Sequence, residues 1–88
     1  YEPGATYGPI IVKDNLFILG DSSPEEAVTF APNGHDLVFT GNTFQRTGER
    51  VGKPALLTVD PNCTRSTIEN NLGAETVKKP VDFNHGRR

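Results

Sequence analysis

The chain is poor in the residues that build large cores and in those that mark common chemistries. It has no Trp and no Met, only 34% of its 88 residues are apolar, and it carries a single cysteine. One thiol, Cys63, excludes an internal disulfide and any cysteine-rich metal site. The histidines, His35 and His85, are too few and too far apart to form a metal triad. No metal site or cofactor is expected. No Ser-His-Asp or Cys-His spacing supports nucleophilic acyl transfer. Basic residues adjoin only at Lys78-Lys79 and Arg87-Arg88, and the formal net charge is −2. That is no electrostatic footprint for nucleic acid. No apolar run approaches the roughly 18 residues of a membrane helix, so no membrane partner is expected. An initiator Met is also missing: the chain opens on YEPGATYG, which leads us to expect a processed product or a piece of something longer.

Turns are abundant instead. Nine Gly and seven Pro favour short strands over long amphipathic helices. Residues 27–44, AVTFAPNGHDLVFTGNTF, return as ALLTVDPNCTRSTIENNLG. At a constant offset of 29, Thr29 falls on Thr58, Phe30 on Val59, Pro32 on Pro61, Asn33 on Asn62, Phe39 on Ile68 and Asn42 on Asn71. Leu37 and Phe39 alternate with Val38 and Thr40 at the period of a strand, and Pro32 and Pro61 argue against a helical repeat. A further copy is expected upstream, where NLFILGD aligns with DLVFTGN at an offset of 21 and sets Leu16 on Leu37, Ile18 on Phe39 and Asp21 on Asn42. The connection QRTGERVGKPA is the lengthened one.

A period of this length points to a solenoid, each unit burying its apolar face against its neighbours. The spacing predicts an all-β chain built as a parallel β-solenoid of about three coils plus an incomplete fourth. The expected layout is an irregular lead-in over 1–9, coils at about 10–26, 27–54 and 55–80, the start of another at 81–84, and a tail over 85–88. Stacking should place Asn42 over Asn71, with Asp21 beneath, as a ladder of side-chain hydrogen bonds. A small jelly roll or sandwich is the competing fold, but it gives no reason for a gap-free offset.

The pattern LVFTGNTF, apolar-x-apolar-x-x-Asn-x-apolar followed by a Gly-containing turn, resembles the coils of the pectin-lyase-like, right-handed parallel β-helix family over roughly residues 10–84. The resemblance implies that the solenoid is a right-handed parallel β-helix. It also implies a carbohydrate-active or carbohydrate-binding protein with a polysaccharide or glycan as partner. Any lyase or glycoside hydrolase activity would belong to a longer chain. It further implies an extracellular, periplasmic or virion-surface setting. The alternative is a structural or adhesive β-solenoid, such as part of a trimeric phage tailspike or fibre, whose partners are the rest of a longer chain or other subunits. In that case Val77, Val81 and Phe83 should pack against a neighbour. The chain departs from the family pattern at Ser66, where Leu37 stood, and at Gly73, where Phe44 stood.

Family enzymes resembling this chain use outward-facing carboxylates, and glycosidic cleavage wants two of them about 5–5.5 Å apart for retention, more for inversion. Asp60 and Glu69 follow inward-type positions and should point outward. Asp82 should lie near Thr58, diagonal to Asp60. These three are the catalytic candidates, beside the simpler reading that they are solvated surface acids. The loop around 45–55 supplies Arg46, Arg50 and Lys53, which with Arg65 are the candidates for holding an acidic ligand, since Arg grips carboxylate or sulfate bidentately. Arg65 also aligns with Asp36, and a cross-strand ion pair between them is the favoured reading over a ligand contact.

Overall fold

The computed structural model describes residues 5–81. Eight short strands follow one another: β1 (Ile10–Lys13), β2 (Leu16–Leu19), β3 (Glu26–Phe30), β4 (Leu37–Thr40), β5 (Thr43–Arg46), β6 (Ala55–Val59), β7 (Thr67–Glu69) and β8 (Ala74–Lys78). A single 3-10 turn, Gly48–Arg50, interrupts the connection between β5 and β6. The chain is all-β, and every strand pairing among the described residues is parallel. The strands form three sheets, in the orders β1-β4-β7, β2-β5 and β3-β6-β8. Each strand thus lies beside its own counterpart from the next copy, never beside its sequence neighbour.

The register follows the repeat where the offset is 29. Thr29 pairs with Thr58, Phe30 with Val59 and Phe39 with Ile68. Isolated bridges at His35–Thr64 and Thr43–Leu72 keep the same step. The first copy is a correction. Ile10 pairs with Leu37, Val12 with Phe39 and Phe17 with Phe44, an offset of 27, so the alignment of NLFILGD with DLVFTGN is wrong by six residues. The likeness of those segments comes from strand-then-turn composition, whereas the pairing is decided at the corner that follows β1 and β4. There Asp14, Gly41 and Asn70 all adopt left-handed backbone, with φ of 57°, 69° and 57°, a conformation that Asn, Asp and Gly tolerate best. Asn15, Asn42 and Asn71 come next in each copy. Asn15, and not Asp21, therefore occupies the rung expected beside Asn42.

The ladder is continuous. Asn15 Nδ2 donates to Asn42 Oδ1 at 3.1 Å, and Asn42 Nδ2 donates to Asn71 Oδ1 at 3.0 Å. Each oxygen also accepts the backbone N–H of the preceding Asn, at 2.9 and 3.1 Å. Asn42 is fully buried, and its bonds satisfy polar atoms that would otherwise be costly inside the protein.

Between the sheets lies a small core of Phe30, Leu37, Phe39, Phe44, Ala55, Leu57 and Val59. Phe44 stacks on Phe17 with centroids 4.8 Å apart, and Phe30 meets Phe39 edge to face at 5.8 Å. In the third copy the sheet of β2 and β5 shrinks to the single bridge at Leu72. The chain turns at Gly73 (φ 73°) straight into β8. A Cβ there would run into the carbonyl of Phe44. Gly73 replaces Phe44 because backbone, not a side chain, fills that place.

Candidate functional site

Asp60 and Glu69 lie in separate settings. Asp60, expected to project outward, is only 4% exposed, because the chain bends there at the end of β6. Its Oδ1 accepts the N–H of Asn62 at 2.8 Å and its Oδ2 the N–H of Val81 at 2.9 Å. Both oxygens are committed to holding the backbone of that turn. Glu69 is exposed at the end of β7, in a different sheet. Asp82 lies outside the described residues, as do Phe83 and His85, and the neighbour of Thr58 in the sheet is Val77 of β8.

The predicted cations separate into three settings. Arg46 continues the inward-facing row of β5, in register with Leu19, and is 6% exposed. Its Nη2 donates to the carbonyls of Pro24 and Glu25 at 3.0 and 3.1 Å, so it braces the segment leading into β3. Its Nη1 is buried without a hydrogen-bond partner. Arg65 forms the ion pair its alignment allowed: Nε and Nη2 donate to Asp36 Oδ1 and Oδ2 at 2.8 and 3.0 Å. That guanidinium, with His35 Nδ1 2.9 Å from the same carboxylate, holds the Asp36 carboxyl well below the usual carboxylate range. Arg50 and Lys53 remain together at the surface.

Arg50 borders a groove. It runs over the outer face of the β3-β6-β8 sheet and is lined by Pro24, Glu25, Glu26, Thr29, Arg50, Leu56 and Lys79, with a volume of about 540 Å³. A narrower cleft of about 200 Å³ adjoins it, between Glu25, Arg50, Lys53, Pro54 and Leu56. Arg50 is positioned by the 3-10 turn and by its Nη1, which donates to the carbonyl of Ser23 at 2.6 Å. Asp21 holds that turn from below, accepting the N–H of Glu49 at 2.9 Å. Across the groove Lys79 Nζ lies 2.9 Å from Glu26 Oε2, which also accepts from Thr58 Oγ1 at 2.8 Å. The hydrogen bond to Lys79, then that to Thr58, lowers the pKa of Glu26. Lys53 is exposed and makes no ion pair among the described residues.

Glu25, Glu26 and Lys79 were missed by sequence reasoning. Glu26 lies 53 residues from Lys79, and only the pairing of β3 and β8 with opposite sides of β6 brings them together. Among the described residues no three His, Cys, Asp or Glu side chains gather as metal ligands. Comparison of the chain with protein-family models, curated proteins and solved structures found no match.

Proposed function

We propose that the chain is a right-handed parallel β-helix whose groove, between the outer face of β3-β6-β8 and the 47–54 loop, binds an acidic glycan. Support for the helix comes from the parallel pairing of every strand with its counterpart, since parallel crossover connections are overwhelmingly right-handed. The observation that carries the function is Arg50 at the edge of an open groove, with Lys53 in the cleft that adjoins it. Lys79 is neutralised by Glu26, whereas Arg50 bonds a neutral carbonyl and neither it nor Lys53 makes an ion pair among the described residues, although Glu25, Asp21 and Glu49 line the hollows around them. Two cations beside a shallow polar strip match a chain of sugars bearing carboxylate or sulfate groups.

Binding is favoured over cleavage because Asp60 is occupied in a turn and no second carboxyl accompanies Glu69 among the described hydrogen bonds and ion pairs. A glycan ligand fits an extracellular, periplasmic or virion-surface setting. Calorimetric titration with an oligogalacturonate and with a neutral oligosaccharide of equal length tests the reading. The acidic ligand should bind and the neutral one should bind more weakly, with the difference shrinking at high salt. Replacing both Arg50 and Lys53 by Ala should weaken the acidic ligand about tenfold or more. Unchanged affinity in that variant moves the site elsewhere, and no binding of either ligand removes the function.

A further inference from the structure

The three sheets end on edges that match each other. On one side β1, β2 and β3 have no strand partner beyond them among the described residues; on the other, β7, Leu72 and β8 have none. Such edges are templates for further pairing. We propose that the two edges join, so that a second copy of the chain stacks head to tail, its β1 beside β7 and its β3 beside β8, in the register that already relates the copies within one molecule.

That register can be read from the middle strands. Thr40 pairs with Lys13 on one side and Glu69 on the other. Repeating the step sets Glu69 of one molecule on Lys13 of the next, opposite charges that are both exposed. By the same rule Phe39 pairs with Val12 and with Ile68, so those two apolar residues meet. Thr43 pairs with Leu16 and bridges to Leu72. These two leucines, 58% and 71% exposed, cover each other when the ends join.

The asparagine ladder has the same polarity. Within the molecule each Asn donates its backbone N–H and Nδ2 to the Oδ1 of the next. At one end Asn71 has the donors and no following Asn; at the other, Asn15 Oδ1 accepts no bond among the described residues. Asn42 and Asn71 each donate Nδ2 to a carbonyl of the preceding copy, Val12 and Phe39. Asn15, lacking one, donates to the carbonyl of Lys13 on its own strand. In the joined arrangement it finds the carbonyl of Ile68. One contact is unfavourable, because Glu75 and Glu26 both pair with Leu56 and would face each other. Lys79 already neutralises Glu26.

A head-to-tail contact is heterologous, and repeating the same stacking step along one axis gives an open series rather than a ring. Light scattering coupled to size exclusion, run from micromolar to millimolar chain, should show a series of multiples of 9.6 kDa that lengthens with concentration. Ile10 N–H donates to Asp36 O and Asp14 N–H to Thr40 O, so alternation turns Ile11 to the open edge. Ile11→Pro removes an edge donor without touching the β1–β4 ladder and should leave a folded monomer. Lys13→Glu and Glu69→Lys alone should each weaken association about fivefold or more. Mixing the two variants should restore it, because each then meets an opposite charge. A monomer at every concentration, a series that stops at a closed dimer, or a mixture no more associated than its components overturns the proposal. The proposal is independent of what the groove binds, and titration of the Ile11→Pro monomer with oligogalacturonate keeps the two readings apart.

Discussion

Asn42 links all three copies from a buried position. It accepts two hydrogen bonds from Asn15 and donates to Val12 O and to Asn71 Oδ1, all at a site closed to water. Asn42→Ala strands those partners, and each unsatisfied buried group costs roughly 1–3 kcal/mol. We expect a loss of at least about 2 kcal/mol in urea unfolding. Asn15→Ala, at the exposed end of the ladder, should cost less than about 1 kcal/mol. A second residue-scale expectation concerns acid. The Asp36 carboxyl is depressed by Arg65 first and His35 second, so its contribution is present above the unfolded carboxylate pKa of about 3.9 and is lost as pH falls through the lower folded value. The stability advantage of the wild type over Asp36→Asn, measured by denaturant at neutral pH, should therefore shrink steadily below about pH 4. An advantage that does not change with pH removes the ion pair as its source. The pair itself was legible from alignment alone, because Asp36 and Arg65 share one place in the repeat. Asp60 was not: its neighbours suggested an outward side chain, and only the bend after β6, with Val81 brought back beside it, explains why it is buried.

At the scale of elements, the sequence showed strands, their period and the 29-residue step, because those depend on local alternation and on identities such as Thr29 with Thr58. It misplaced the first copy. Leu16 and Gly20 imitate Leu37 and Gly41 in composition, yet backbone conformation sets the register, and Asp14 can adopt the left-handed turn that Gly41 adopts. The sequence could not show that the third copy loses most of one sheet. Gly73 marks the place, and its position under Phe44 O leaves no room for a side chain. Gly73→Ala places a Cβ against that carbonyl and adds the penalty of left-handed backbone, about 1–2 kcal/mol. The sum should exceed about 2 kcal/mol, read as a drop in the urea midpoint with little change in slope. A variant as stable as the wild type contradicts the tight turn between Leu72 and β8. The connection over 47–54 is longer than its counterpart over 20–25 by only two residues, not by the eight that the 21-residue alignment implies, and it carries a half-buried Arg50 and an exposed Lys53. Arg46 was grouped with them by sequence proximity, but the alternation of β5 carries it to the inward-facing side.

The whole molecule is a short slab whose smallest extent is 16 Å, about the depth of three strands spaced by about 4.8 Å. So thin a stack has one middle layer, β4, β5 and β6, and most of the buried residues belong to it or to the turns beside it. The outer layers share their apolar residues with solvent, and this is why the open edges and the groove on the third sheet dominate its surface chemistry. Parallel pairing between copies underlies all of these conclusions: the ladder, the Lys79–Glu26 wall of the groove and the match between the two ends. Nuclear Overhauser contacts in a ¹⁵N,¹³C-labelled sample measure it directly, using the Ile11→Pro variant if association broadens the spectra. Phe39 should show cross-strand contacts to Val12 on one side and Ile68 on the other, in the parallel pattern. Contacts of Phe39 to Ile18 in place of Val12, or an antiparallel pattern between any of these strands, would contradict the account.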